Sequence, residues 1–338
     1  MPQTQPMPDP QPIWQMMTGF QYSAAYRTAI ELELFTKIAE GNTTVAKLAA
    51  ACGAAEKGIR VLADVFTVFS FLTKSGDEYC LSDVAAAFLD KNRQTYIGAS
   101  IEFLMSEAQL NGFADLTNTV RNGGTRTETN ASLDSESPMW VKFAKAMMPL
   151  MVPAANGIAA NLGFEKNADL KVLDIAAGHG IFGITVAQQY PNAHIYAIDW
   201  ANVLTVATEN ANRLGVADRH HLIAGSAFDV DFGADYDAML ITNFLHHFDA
   251  DTCTTLLKKV HAALKPGGKA FTLEFIPNDD RVSPPAEALF SLVMLAATPS
   301  GDAYTFKELE KMCVDAGFTN NLHQPLPPMP QHLVISTK

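Results

Sequence analysis

After Asn167, hydrophobic positions fall into short runs of strand length that are separated by amphipathic segments of helical period. Five of these runs predict buried strands: LKVLDIA, AHIYAID, HHLIAGS, DAMLITNF and KAFTLEFIP. Strands that alternate with helices predict a parallel sheet with helices on both faces. The later helix TFKELEKMCVDAG and the run HLVISTK are predicted to add elements at the edge. The pattern indicates an α/β, Rossmann-like domain over residues 166–338.

The N-terminal part of the chain is mainly helical in its pattern. Between Ile13 and Gly41, large apolar residues recur at helical spacing, among them Trp14, Met17 and Phe20. They could belong to a core, or they could form a surface that a second subunit covers, because so large a patch is rarely left exposed. Residues 42–81 then predict two short helices and a hairpin, which is the order of a winged helix. We place this domain at residues 13–100.

The segment 101–165 is predicted to be a helical linker between the two domains. A polar, Gly- and Thr-rich stretch at 118–137 interrupts it and indicates an exposed connection. Methionines and aromatic residues follow, and they could be core or could line a pocket that moulds around a flat apolar ligand. The candidates for a substrate pocket are Phe143, Met147, Met148, Met151 and, from a later helical segment, Phe290 and Met294.

Charge argues against a nucleic-acid partner. The 338 residues are 48% hydrophobic, enough for two domains, and their formal net charge is -12. Phosphate contacts need clustered Lys and Arg, whereas the second helix of the winged-helix pattern offers only Lys57 and Arg60. A DNA-reading regulator that senses a cofactor therefore remains open only as a less favoured alternative.

Cysteine usage and the N-terminus bear on location. The four cysteines are far apart and form no CxxC or His–Cys cluster, so we expect neither a disulfide framework nor a metal site, and a reducing cytoplasm fits best. Residues 1–12 are rich in Pro and lack the basic and apolar regions of a signal peptide, so we expect a disordered leader. No apolar run reaches the length of a membrane span, and we expect no membrane partner.

The stretch LKVLDIAAGHGIFG at 170–183 predicts a strand, a tight turn and a helix start. Gly178, Gly180 and Gly183 have the spacing of a dinucleotide-binding loop, so an NAD-type oxidoreductase is one alternative. Asp174, at the end of the strand, would instead attract a cationic ligand such as an ammonium or sulfonium group. It could also simply cap the following helix.

Polar residues recur where the other predicted strands end, and carboxyl ends of parallel strands form the ligand cleft of such sheets. Asp199 could accept both hydroxyls of a ribose or could cap the next helix. Phe228 could lie against an adenine or belong to the core, and the same ambiguity applies to Trp200. Ser226, Asn243 and Glu274 also follow or end strands.

Two histidines follow the fourth strand in the segment NFLHHF. A histidine in that position can act as a general base near neutral pH, although a buried core histidine is the alternative. Glu274, at the next strand end, favours the base, because a carboxylate facing an imidazole selects its tautomer and stabilises its protonated form. Adjacent residues at a strand end point to different sides, so we expect only one of the two histidines to face the cleft.

The ordered segments VLDIAAGHG, AID, NFLHHF and LKPGGKAFTLE resemble class I S-adenosylmethionine-dependent methyltransferases. With the preceding winged-helix domain, nearly the whole chain after the leader resembles the O-methyltransferase family of the caffeate, flavonoid, acetylserotonin and bacterial polyketide-tailoring enzymes. The resemblance implies S-adenosylmethionine as cofactor, a homodimer formed through the N-terminal domain, His246 as base and Glu274 as its orienting acid. The cofactor-binding candidates are Asp174, Ala176, Gly178, Gly180, Asp199, Trp200, Ser226, Ala227, Phe228 and Asn243.

Three positions depart from the family pattern. Ala176 replaces a usual glycine, and Ser226 replaces a common adenine-binding aspartate. Ala303 replaces the second glutamate that flanks the histidine in plant members. The expected reaction is O-methylation of a small aromatic or polyketide-like molecule by direct displacement, without a metal. Because of Ala303, a different reaction on the same cofactor-binding fold remains an alternative.

Overall fold

The computed structural model describes residues 7–126 and 137–338. It forms two compact units, which meet in sequence between Met105 and Ser106. Of the predicted leader, residues 1–6 lie outside the described residues, as do residues 127–136 of the predicted connection. The first helix begins at Gln11, two residues before the helical pattern that was predicted from Ile13. Proline is tolerated in the first helical turn, where its missing N–H has no partner to lose.

The first unit contains helices packed with a two-stranded antiparallel ribbon. Its elements are α1 (Gln11–Glu31), α2 (Leu34–Ala39), α3 (Val45–Cys52), α4 (Glu56–Val68), β1 (Leu72–Ser75), β2 (Glu78–Leu81), α5 (Asp83–Phe88) and α6 (Ile101–Leu104). Helices α3 and α4 and the ribbon follow the predicted order, and the helical run predicted from Ile13 to Gly41 is divided into α1 and α2. On α1, Trp14, Met17 and Phe20 expose 59%, 52% and 70% of their surface in the single chain. They are therefore surface residues rather than core.

The second unit is built on a seven-stranded sheet with the order β5-β4-β3-β6-β7-β9-β8. Strands β3 to β7 are mutually parallel, and β9 is antiparallel to both of its neighbours. The elements are α7 (Glu107–Ala114), α8 (Leu116–Asn122), α9 (Pro138–Asn161), β3 (Lys171–Ile175), α10 (Ile181–Gln189), β4 (His194–Asp199), α11 (Ala201–Arg213), β5 (His220–Ala224), β6 (Tyr236–Thr242), α12 (Ala250–Ala263), β7 (Leu264–Phe275), α13 (Pro285–Ala297), α14 (Phe306–Asp315), β8 (Asn320–Pro325) and β9 (Gln331–Thr337).

The sheet has a hydrophobic core on each face. Val172 of β3 and Leu240 of β6 belong to one core, whereas their sequence neighbours Leu173 and Met239 belong to the other. Successive strand residues point to opposite faces, so a strand covered on both sides is apolar at nearly every position. Strand order reverses around β3, which has β4 on one side and β6 on the other, and such a switch point opens a ligand cleft.

Two sequence expectations about strands need correction. The predicted helix to Lys265 ends at Ala263, and β7 starts at Leu264 rather than near Lys269. A register shift opposite Tyr236 accommodates the Pro-Gly-Gly turn within β7. The run HLVISTK was expected at the sheet edge, but β9 lies between β7 and β8. Strand β8, which the pattern did not reveal, forms this edge of the sheet, and β5 forms the other.

Candidate active site

The Glu274 carboxylate organises the turn that carries the candidate base. Its Oε1 accepts hydrogen bonds from the backbone N–H of Phe244 (2.9 Å) and Leu245 (2.8 Å). Its Oε2 lies 2.5 Å from Nδ1 of His246, which stands in a short 3-10 turn after β6. Both side chains are buried. An ionised carboxylate can only accept, so the proton of a neutral His246 lies on Nδ1 and Nε2 is left free to accept a proton.

His247 has a different environment from His246. Its ring makes an edge contact with Trp140 at 5.9 Å between centroids, and its Nδ1 has no hydrogen-bond partner within the described part of the chain. Burial, followed by the neighbouring His246, holds the pKa of His247 well below its ordinary value. His247 is therefore a neutral packing residue, whereas His246 has a carboxylate to stabilise its charged form.

An aromatic wall lies beside His246. The ring of Phe290 meets the His246 ring edge-on at 4.9 Å and stacks on Phe275 at 3.9 Å. The loop that carries Ala303 passes close by, because a Cβ added at Gly301 would collide with the carbonyl oxygen of His246. Ala303 itself is fully buried. The resemblance therefore implies that a buried alanine methyl stands where plant members have the second glutamate.

The glycine loop is held by the acid at the end of β4. Asp199 accepts hydrogen bonds from the N–H of Gly178 through Oδ2 (2.8 Å) and from the N–H of Trp200 through Oδ1 (2.7 Å). Burial, partly offset by these two bonds, raises the pKa of Asp199 to about 6. Gly178 has φ +58°, and a Cβ there would meet only the Ala176 carbonyl oxygen, at 3.9 Å. The loop backbone is thus open to a ligand at Gly178.

Gly180 and Ala176 have different local constraints. A Cβ at Gly180, which caps α10, would lie 2.9 Å from the Cβ of Ala207 on α11, and Gly180 has φ +73°, so both close packing and backbone conformation favour glycine there. Ala176 has φ +53°, a left-handed conformation that L-residues other than glycine adopt at a cost. The usual glycine of the family pattern is explained by this backbone angle.

Asp174 is completely buried at the end of β3. Its Oδ2 accepts the N–H of Gly183 in the first turn of α10 (3.0 Å), which is the helix-capping role left open by the sequence. Its Oδ1 has no hydrogen-bond partner among the residues described. Burial is the main reason that its pKa is raised to about 7. An unpaired buried carboxylate oxygen fits a cationic cofactor group in the adjacent loop.

The turn after β5 carries the candidates for the adenine side. Ser226 Oγ accepts the N–H of Phe228 (3.2 Å), and the Phe228 ring meets Phe248 edge-on at 4.9 Å. Lys259 of α12 donates to the carbonyl oxygens of Ala227 (2.9 Å), Phe228 (3.0 Å) and Val230 (2.5 Å). Ala227 is buried in the core. Sequence reasoning missed Lys259, since a lone lysine on a helix carries no signal of this role.

The substrate-pocket candidates do not all converge. Phe290 contacts His246, and the ring of Phe143 lies 5.6 Å from Trp140, which in turn contacts His247. The Met151 sulfur accepts from Nδ2 of Asn243 at 3.6 Å. The remaining candidates are placed otherwise: Met147 packs on a sheet core, Met148 accepts through its sulfur from Arg213 of α11 at 3.5 Å, and Met294 is buried on α13.

Two features are absent from the described ranges, 7–126 and 137–338. No group of three or more His, Cys, Asp or Glu side chains there is arranged to hold a metal ion. No helix in those ranges combines the length and apolar character that crossing a bilayer requires.

Comparison with known families gives two matches along the chain. The O-methyltransferase domain matches residues 143–319, and the O-methyltransferase dimerisation domain matches residues 14–91. Both matches agree with the order of segments in the sequence. They favour a methyltransferase over the dinucleotide oxidoreductase that the glycine spacing left open.

Individual relatives support the same assignment. A provisionally assigned O-methyltransferase of Nostoc punctiforme is 48% identical, with 98% of this chain and 100% of that chain covered and a TM-score of 0.93. The tetracenomycin polyketide synthesis 8-O-methyl transferase of Streptomyces glaucescens is 26% identical over 92% of each chain. Human N-acetylserotonin methyltransferase in complex with SAM shares the fold, with a TM-score of 0.84, 20% identity and 99% of each chain covered.

Proposed function

The chain belongs to the family of S-adenosylmethionine-dependent O-methyltransferases, and from this premise we propose that it methylates a hydroxyl of a small aromatic or polyketide-like molecule with His246 as general base. The observation that supports the base is the contact between His246 Nδ1 and Glu274 Oε2, 2.5 Å apart in a buried site. It leaves Nε2 unprotonated and ready to accept the substrate proton.

The cofactor supplies an electrophilic methyl group on a sulfonium. A phenol, with a pKa of about 10, is a weak nucleophile at neutral pH until a base removes its proton. In the proposed step, His246 Nε2 takes that proton while the substrate oxygen forms a bond to the methyl carbon and the carbon–sulfur bond breaks. Glu274 then stabilises the resulting imidazolium. The products are the methyl ether and S-adenosylhomocysteine.

We assign the cofactor contacts along the ends of β3, β4, β5 and β6. Asp199, already fixed by two backbone N–H groups, would accept the ribose hydroxyls through its remaining lone pairs. Asp174 would act at the methionine end through its unpaired Oδ1. Phe228 would lie beside the adenine on the turn that Lys259 supports. The other proposed contributors are Ala176, Gly178, Gly180, Trp200, Ser226, Ala227 and Asn243.

The substrate class is proposed from relatives and from the wall beside the base. One relative is a polyketide synthesis 8-O-methyl transferase, and another is a 3-hydroxy-5-methyl-1-naphthoate 3-O-methyltransferase from Streptomyces sahachiroi. The stacked rings of Phe275 and Phe290 would suit a flat aromatic acceptor. Of the other predicted pocket residues we include Phe143, which lies against Trp140, and Met151, which contacts Asn243.

We further propose that the protein works as a homodimer in the cytoplasm. The dimerisation-domain match and the exposed apolar residues of α1 support the dimer, and the four free cysteines are in keeping with a reducing compartment. Deleting residues 1–40 should give a monomer or an aggregate. Full-length protein that sediments as a monomer at micromolar concentration would contradict the dimer.

Methyl transfer to a library of phenols, followed by mass spectrometry, tests the reaction. The base is tested with His246→Gln, which should keep cofactor affinity and lose about 10²- to 10⁴-fold in turnover. His247→Gln is the matched control and should have the milder effect. Cofactor binding without methylation of any phenol would favour the alternative of different chemistry, to which Ala303 points.

A further inference from the structure

Two carboxamide side chains converge on the sulfur of Met151. Nδ2 of Asn243 donates to it at 3.6 Å, and Nε2 of Gln331 donates at 3.9 Å. A thioether sulfur accepts and cannot donate, so the N–H side of each amide faces it. Asn243 Oδ1 and Gln331 Oε1 are consequently left buried, with no hydrogen-bond partner in the described part of the molecule. Buried carbonyl oxygens of this kind are uncommon in native proteins and call for a partner.

Gln331 lies at the same end of the sheet as the candidate base, where the parallel strands have their carboxyl ends. It is the first residue of β9, and because β9 runs antiparallel to β7, it pairs with Phe275 at the end of β7. Phe275 stacks on Phe290, and Phe290 contacts the ring of His246. Only 2% of the Gln331 surface is exposed. Its unpaired oxygen therefore belongs to the same end of the sheet as the proposed acceptor pocket.

Strand order decides which ligand group could reach this oxygen. Most of the proposed cofactor residues follow β3, β4 and β5, whereas Asn243 and the base follow β6. Gln331 is on β9, three strands from β3, which corresponds to about 14 Å at ordinary strand spacing. The base lies between Gln331 and the strands that carry most of the cofactor residues. A hydrogen-bond donor at Gln331 would therefore come from the methyl acceptor and not from the cofactor.

We propose that Gln331 Oε1 accepts a hydrogen bond from a second hydroxyl or amino group of the methyl acceptor, and so makes the enzyme selective for aromatic substrates with at least two donors. This inference rests on the proposed function. A site built to bond a substrate hydroxyl discriminates strongly against an analogue that lacks it, because a buried polar atom is then left unpaired. β6 and β9 are about 10 Å apart, so hydroxyls on different rings of a fused system suit the arrangement.

Binding to the protein loaded with S-adenosylhomocysteine tests the inference without requiring turnover. The probes are 1-naphthol and the isomeric dihydroxynaphthalenes that add one hydroxyl to it. Wild-type protein should bind at least one diol about tenfold or more tightly than 1-naphthol. Gln331→Met, which keeps the length of the side chain, should abolish this preference and leave 1-naphthol affinity unchanged. Gln331→Asn, which withdraws the carbonyl by one methylene, serves if the methionine variant does not fold.

Gln324→Met on β8 is the matched control, since it makes the same substitution on the neighbouring strand, and it should retain the preference. The inference is overturned if no diol binds better than 1-naphthol, if Gln331→Met keeps the preference, or if that variant loses affinity for S-adenosylhomocysteine instead. Turnover of the same probes decides the proposed function separately. A diol preference that depends on Gln331 without methyl transfer would refute O-methylation and retain the binding site.

Discussion

Replacing Glu274 with glutamine should separate the structural role of this carboxylate from its effect on His246. The glutamine Oε1 can still accept the N–H groups of Phe244 and Leu245, which bond the carboxylate at 2.9 and 2.8 Å. Its NH₂ group, however, would replace the oxygen 2.5 Å from His246 Nδ1. Nδ1 must then accept, so the proton of the neutral imidazole moves to Nε2. The variant keeps the turn but protonates the nitrogen that should act as the base.

The expected changes in stability and in turnover follow from these hydrogen bonds. Hydrogen bonds to a charged acceptor contribute about 1.5–3 kcal/mol and neutral ones about 0.5–1.5 kcal/mol, so weakening two of them should lower the free energy of unfolding by about 2–3 kcal/mol. Relief of a buried charge offsets part of that loss. Turnover should fall about 10²- to 10⁴-fold, the range for a positioned general base.

The assay combines urea unfolding with single-turnover methylation of phenols of decreasing pKa. The deficit of Glu274→Gln should shrink along the series, because more acidic phenols need the base less. Glu287→Gln is a matched control, since Glu287 is also a buried glutamate beside an imidazole, with its Oε1 3.4 Å from Nε2 of His332. Turnover of Glu287→Gln should stay within about twofold of wild type, whereas loss of a general base lowers turnover by about 10²-fold or more. Wild-type turnover of an unactivated phenol by folded Glu274→Gln would refute the orienting role.

The local geometry leads to three further predictions, for Ala176, Lys259 and Asp174. Ala176→Gly should raise the free energy of unfolding by about 0.5–1 kcal/mol in urea titrations, because the native φ of +53° strains an L-residue; a decrease would contradict this. Lys259→Met should weaken binding of S-adenosylhomocysteine by about tenfold in calorimetry, because it removes the donor to three carbonyl oxygens of the turn after β5. The net effect on the binding free energy should be about 1–1.5 kcal/mol. The control is Lys258→Met at an exposed position, and an equal loss of affinity there would refute the supporting role of Lys259. The pKa of Asp174 is about 7 in the folded protein and near 3.9 in the unfolded chain, so ionisation of Asp174 should destabilise the cofactor-free protein as pH rises. The free energy of unfolding should have its full value below about pH 4 and should fall as pH rises through about 7. The total loss should be on the order of 4 kcal/mol at most. Asp174→Asn should therefore flatten the pH dependence of unfolding, and unchanged slopes between pH 5 and 8 would reject the assignment.

Local pattern was sufficient for much of the parallel sheet. The runs ending at Asp174, Asp199 and Glu274 were recognisable because a strand buried on both faces is apolar at successive positions. Parallel strands in one sheet bring their carboxyl ends to the same edge, so the polar residues that follow them were expected to share a cleft. The pairing of His246 with Glu274 follows from that rule, since β6 and β7 are neighbours.

Tertiary structure alone decided the contacts between distant segments. The insertion of β9 between β7 and β8 brought Gln331 beside Phe275, and no property of the run HLVISTK specifies which strand it will join. The burial of Asp174 and the reach of Lys259 to the turn after β5 depend likewise on how helices pack over the sheet. Periodicity in a sequence reports which face of an element is buried. Which residues meet across that face is set by packing between elements far apart in the chain.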